Sequence, residues 1–118
     1  MVVDLLDDAV RTDEVFHALA DATRRDIVAR TLQAEQSVST LARSYPMSFA
    51  AVQKHVAVLE RARLVRKRPN GREQLVGADI DTILAAARVL DSLERLWVGR
   101  LQRFGELLAE SEPDDKES

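Results

Sequence analysis

The 118-residue chain contains no cysteine, which excludes disulfides, thiolate nucleophiles and cysteine-ligated metal sites. Glycine occurs four times and proline three, and there is no glycine-rich phosphate loop and no low-complexity tract. Aromatic residues make up only 4%, and a core must be assembled mainly from Leu, Val, Ile and Ala. No apolar run approaches the roughly 20 residues that a membrane span requires. The opening "MVVDLLDDAV" is acidic and its apolar runs are too short for a secretory signal. His17 and His55 are the only histidines and lie far apart in the chain, which lends no support to a shared catalytic or metal site. No Ser/His/acid order stands out either. The expectation is a soluble, cytoplasmic protein with no membrane segment, no enzymatic activity and no cofactor.

What is present is a globular balance, 46% apolar and 31% charged, suited to one domain over residues 1–110 with a polar, disordered tail at 111–118. The net charge of −3 conceals a strong segregation. Residues 1–42 carry four Lys/Arg against eight Asp/Glu, and residues 73–118 carry five against eleven. Residues 43–72 carry eight cations (Arg43, Lys54, Arg61, Arg63, Arg66, Lys67, Arg68 and Arg72) against Glu60 alone. A basic middle between acidic ends is either a solvated surface or the footprint of a polyanion, for which local charge matters more than net charge.

Periodicity organises the rest. A first helix carries Val15, Phe16 and Leu19. Asp21 is placed to cap a second helix with Ile27, Val28 and Leu32 at helical spacing. "QSVS" is a break, Ser39 can cap a short helix "TLARSY", and Pro46 ends it. Ser48 then caps "FAAVQKHVAVLERA", whose Val52, Val56 and Leu59 share one face and leave Ala50, Gln53, Lys54, Ala57 and Arg61 on or near the other. After Leu64 the period shortens to two. "LVRKRP" and "REQLV" flank Asn70-Gly71, the pair favoured by a type I′ hairpin with positive φ at both central residues. Alternation sets Arg66 and Arg68 on one face and Lys67 on the other.

From Asp79 or Asp81 a long helix is expected. Ile80, Ile83, Ala87, Leu90, Leu93, Trp97, Leu101, Phe104 and Leu108 recur every three or four residues. About 28 residues at roughly 1.5 Å each make a rod of about 40 Å, longer than a small core can cover. The stripe either folds back on its own chain or meets the same helix of a second chain across a two-fold axis. In the homodimer, Leu5, Leu90, Leu93, Trp97, Leu101, Phe104 and Leu108 form the interface.

A short helix, a tight turn, a second helix with outward polar residues and then a basic hairpin make a mainly α winged helix-turn-helix with a small β-hairpin. The recognition helix spans about 48–61 and the wing 64–76. Gln53 and Lys54 suit base edges in a major groove, Ser48 and the amides of the helix start suit a phosphate, and the hairpin arginines suit the DNA backbone or the minor groove. The competing possibility is a dimeric interaction module whose wing binds an acidic protein.

The run "FHALADATRRDIVARTL" followed by "SVSTLARSYPMSFAAVQKHVAVLERARLVRKRPNGREQLV" resembles the ArsR/SmtB-type winged helix-turn-helix repressors of bacteria, over roughly residues 13–77. The tail "LWVGRLQRFGELL" is similar to the Trp-containing end of members without an obvious metal site. The resemblance implies a homodimer on an inverted-repeat, double-stranded DNA operator. It places Ser48, Phe49, Ala50, Gln53 and Lys54 nearest the bases and Arg66 to Arg72 in the wing. His55, beside the buried stripe, either packs and hydrogen-bonds or reaches phosphate. Three departures from the family pattern stand out. Phe49-Ala50 replaces a polar residue and proline, so Phe49 either meets a thymine methyl or folds back on the protein. Arg63 stands where glycine is usual, which suggests a different turn between helix and wing. The metal positions lack cysteine and histidine: Asp79, Asp81, Asp91 and Glu94 alone suit zinc poorly, and no metal is expected. No motif identifies an effector.

Overall fold

A computed structural model describes residues 9–110 of the chain. Leu5 and the tail at 111–118 lie outside the described residues. The described residues fall into two compact units, divided after Ala86.

In the first unit, α1 (Ala9–Ala18) buries Val15 and Ala18, with Phe16 and Leu19 packed partly against them. Asp21 caps α2 (Ala22–Gln33) by accepting the Arg24 N–H at 3.0 Å. That backbone bond is the main reason its carboxyl is held below the ordinary value. Ile27 and Val28 are buried as expected, but Leu32 is 46% exposed and Thr31 takes the inward place. The Thr31 hydroxyl donates to the carbonyls of Ile27 (2.8 Å) and Val28 (3.1 Å), so its burial leaves no orphaned polar group.

The break at "QSVS" is a two-residue strand, β1 (Gln36–Ser37), leading directly into α3 (Val38–Arg43). The cap of α3 is Ser37, not Ser39: its hydroxyl accepts the Thr40 N–H at 3.0 Å and donates to Thr40 Oγ1 at 2.9 Å. Val38 and Leu41 are the buried side chains of α3. Ser48 caps α4 (Phe49–Arg61) by accepting the Ala51 N–H at 3.1 Å, and Val52, Val56 and Leu59 point into the core.

The end of α4 explains the arginine found where glycine is usual. Arg63 has φ 64°, the only positive φ at a non-glycine among the described residues. Its N–H donates to Glu60 O at 2.9 Å and the Leu64 N–H to Leu59 O at 2.9 Å, the paired bonds of a Schellman cap. The arginine thus takes the left-handed cap position that glycine favours, at a backbone cost of about 1 kcal/mol. Arg63→Gly is expected to raise stability by about that amount less the extra unfolded-chain entropy of glycine, a net gain of a few tenths to 1 kcal/mol. Urea unfolding checks this: the midpoint should rise with the slope unchanged, and a fall would mean the arginine side chain compensates for its strained backbone.

β2 (Val65–Asn70) and β3 (Glu73–Ala78) pair antiparallel from Val65↔Ala78 to Asn70↔Glu73, and β1 adds to the other edge of β3, giving the order β1-β3-β2. Asn70 is thus a strand residue, and the two-residue loop is Gly71-Arg72. Only Gly71, at φ 63°, is left-handed. The expected type I′ turn centred on Asn70-Gly71 is replaced by the sign pattern of type II′, with glycine first.

α5 (Ile80–Glu110) runs 31 residues. Asp79 precedes it, accepting the Ile83 N–H on its carbonyl at 3.2 Å and the Thr82 N–H on Oδ1 at 3.4 Å. Ala85 and Ala86 join the core and Ile83 packs partly on it, whereas Ile80 is half exposed. In the second unit, Leu90, Leu93, Trp97, Leu101, Phe104 and Leu108 are each 49–61% exposed. No helix among the described residues is long and apolar enough to cross a membrane.

Candidate nucleic-acid interface

The turn between α3 and α4 is fastened to α2. Tyr45 donates its hydroxyl to Asp26 Oδ2 at 2.6 Å, Arg30 Nε donates to the same oxygen at 2.7 Å, and the Arg30 guanidinium lies 5.4 Å from the Tyr45 ring centre. The Tyr45 hydroxyl and then Arg30 hold the Asp26 carboxyl below its usual range. Burial, followed by the neighbouring carboxylate, pushes the Tyr45 phenol up to about 12. No periodicity in the sequence signals this link, because its partners sit 19 positions apart.

With the turn fixed, α4 presents Phe49, Ala50, Gln53 and Lys54 as exposed residues. Phe49 and Gln53 line a cleft of about 230 Å³ together with Ser39 of α3 and Lys67, Arg72, Glu73 and Gln74 of the wing. Two groups of residues singled out in the sequence, on the recognition helix and on the hairpin, therefore face one cavity. Phe49 is 47% exposed at its rim.

His55 lies on a different side of α4. Its Nδ1 is 3.2 Å from an Arg24 guanidinium nitrogen and 3.9 Å from Asp21 Oδ2. Arg24 also donates to the carbonyls of Ala18 (2.7 Å) and His17 (3.2 Å), and Arg25 donates to that of Leu19 at 2.9 Å. Both arginines thus serve the C-terminal end of α1, and neither pairs with Asp26. The Arg24–His55 contact ties α4 to the α1–α2 corner.

The wing's charge is less available than its sequence suggests. Arg66 Nε meets Asp79 Oδ2 at 2.9 Å, and Lys67 Nζ meets Glu60 at 3.4 Å. Arg68 is gripped by both oxygens of Glu35, at 3.0 and 2.8 Å. The Arg68 bonds hold the Glu35 carboxyl below its ordinary range, and the same bonds raise Arg68. Lys54, Arg61, Arg63 and Arg72 are exposed and without an ion-pair partner among the described residues. The acids that hold the wing were not singled out as partners in the sequence, where Glu35 precedes Arg68 by 33 positions and Asp79 follows Arg66 by 13. Among the described residues no three His, Asp or Glu side chains gather as metal ligands. Asp79 pairs with Arg66, and Asp91 pairs with Arg95 at 3.0 Å.

Two helices joined by a fastened turn, followed by an antiparallel hairpin that shares a cleft with the second helix, define a winged helix-turn-helix domain. The chain is 43% identical over 103 residues to the HTH-type transcriptional regulator Rv2034 of Mycobacterium tuberculosis, covering 87% of this chain and 92% of that one. An ArsR-like transcriptional regulator from a Rhodococcus species superposes with a TM-score of 0.71 at 33% identity, over 83% of this chain and 92% of its own. The homodimeric winged helix-turn-helix DNA-binding domain Mb0332 of Mycobacterium bovis, a possible ArsR-family regulator, superposes with a TM-score of 0.61 at 25% identity, over 78% and 83%. No protein-family model matches the chain. The chain belongs to the ArsR-type family of winged helix-turn-helix transcriptional regulators, a family of regulators and not of enzymes.

Proposed function

We propose that two copies of this chain, joined through the apolar stripe of α5, repress transcription by binding an inverted-repeat operator with one α4 in each of two major grooves. The observation that carries this reading is the common cleft of α4 and the wing, which sets polar side chains for base edges beside cations for the adjacent backbone. Gln53 and Lys54 are the base readers, flanked by Phe49 and Ala50. Ser48 and the first amides of α4 meet a phosphate. Arg66, Lys67, Arg68 and Arg72 follow the backbone, and His55 supports the helix from behind through Arg24. Phosphate contacts supply most of the affinity and base contacts the preference among sequences. The homodimeric state of the Mycobacterium bovis domain and the exposed stripe of α5 support the two-fold arrangement. Half-sites then fall about one helical turn, or a multiple, apart.

In vitro selection from a random duplex pool at near-physiological salt, with and without zinc, tests this. The expected outcome is an enriched inverted repeat that does not change with zinc. Gln53→Ala is expected to flatten the preference while leaving affinity for random duplex within about twofold, since a base contact contributes about 1–3 kcal/mol of discrimination and little non-specific binding. Recovery of unselective, salt-sensitive binding alone would overturn the reading in favour of an acidic protein partner.

A further inference from the structure

Three of the wing's cations are each held by a carboxylate from a different element. Glu35 comes from the segment between α2 and β1, Glu60 from the last turn of α4, and Asp79 from the junction of β3 and α5. Of these, the Glu35 clasp is the most built. It is bidentate, the geometry in which a guanidinium also takes a phosphate. It is also fitted to the strand beneath it. A Cβ added at Gly77 of β3 would lie 3.1 Å from Glu35 Cγ and 3.2 Å from its Oε2, so the bare strand at Gly77 is what lets Glu35 lie across β3 to reach β2.

We propose that Glu35 is an internal stand-in for a DNA phosphate, holding Arg68 in the free protein so that duplex binding must displace it. The inference rests on the reading of the wing as a backbone-contacting element. The free wing then shows a passing duplex mainly Arg72 at its tip, and Arg68 exchanges one anion for another only when the protein is seated. The consequence is a lowered affinity for DNA of any sequence.

Fluorescence titration of the full chain against a random-sequence duplex over a salt series decides the matter, with five variants. Glu35→Gln is expected to tighten binding by about three- to fivefold, the range an exposed ion pair withholds, and to steepen the salt slope by about one. Gly77→Ala, which keeps every charge but crowds Glu35, should tighten it in the same direction. Glu73→Gln removes a cleft-lining carboxylate that has no ion-pair partner among the described residues, and so reports the loss of a nearby negative charge without the release of a wing cation; its effect should be the smaller. In an Arg68→Ala background, Glu35→Gln should do no more than Glu73→Gln. Weaker binding by Glu35→Gln would show that Glu35 prearranges Arg68 for DNA and would overturn the proposal. Equal effects of Glu35→Gln and Glu73→Gln would overturn it as well. If the unaltered chain binds no duplex even at low salt, the underlying reading falls, and the proposal with it.

Discussion

Leu101→Glu is expected to abolish operator binding while leaving the helix-turn-helix and wing folded. Leu101 is 49% exposed and central to a stripe that includes Leu90, Leu93, Trp97 and Phe104. Leu101 is not among the buried residues of the core cluster, whose last member is Ala86. In the proposed dimer the change sets a carboxylate on each side of the axis, in an apolar seam that cannot solvate it. A monomer retains one half-site. Losing the second forfeits the effective concentration that a linked partner provides, which is worth about a hundredfold or more in affinity. Sedimentation and operator titration, with circular dichroism as the fold control, read the result. A monomer that binds the operator at full strength would remove the two-fold axis from the mechanism. A persistent dimer would place the interface on another face.

Leu41→Ala should have the largest effect on stability. α3 is six residues long, far short of what an isolated helix needs, and it is held by the burial of Val38 and by Leu41 at 0% exposure. Truncation removes most of a buried side chain and leaves a cavity among rigid neighbours, costing about 3 kcal/mol. Against a total of roughly 5–15 kcal/mol for a domain, that is a large fraction. Denaturant unfolding should show the midpoint fall accordingly. A loss under about 1 kcal/mol would mean that α3 collapses onto α4 without a void.

Much of this architecture was legible in the sequence because local and long-range demands coincide there. Ser48 followed by Val52, Val56 and Leu59 announces a capped helix with one buried face, and α4 forms as read. The wing was equally plain, because two short β-type runs flank Asn70-Gly71, a pair that favours a hairpin over a helix. What the sequence misplaced is decided by tertiary pairing. Ser37 and Ser39 are equivalent capping candidates on either side of Val38. The choice falls to Ser37 because the preceding residues are drawn into β1 by β3, and a two-residue strand has no periodicity to betray it. Thr31 displaced Leu32 from the interior because its hydroxyl is satisfied by its own helix. The turn type followed from register: pairing Asn70 with Glu73 moves the loop one residue on, and glycine then suffices at its first position. For the candidate interface, the residue types were readable but their partners were not. Glu35, Glu60 and Asp79 reach the wing only in three dimensions. Leu5 lies outside the described residues.

Ser37 joins two tasks in one residue. Its backbone pairs opposite Leu75 of β3 while its side chain starts α3. A one-residue slip of β1 along the wing would drag the serine off the helix start and bring Val38 into the strand, so the register cannot drift without unmaking the helix. α3 and the wing are thereby yoked, and α4, which packs on α3, is held at a fixed distance from the wing. In the proposed complex, exchanging side chains on α4 would change which bases are met while leaving the spacing between those bases and the neighbouring phosphates unaltered.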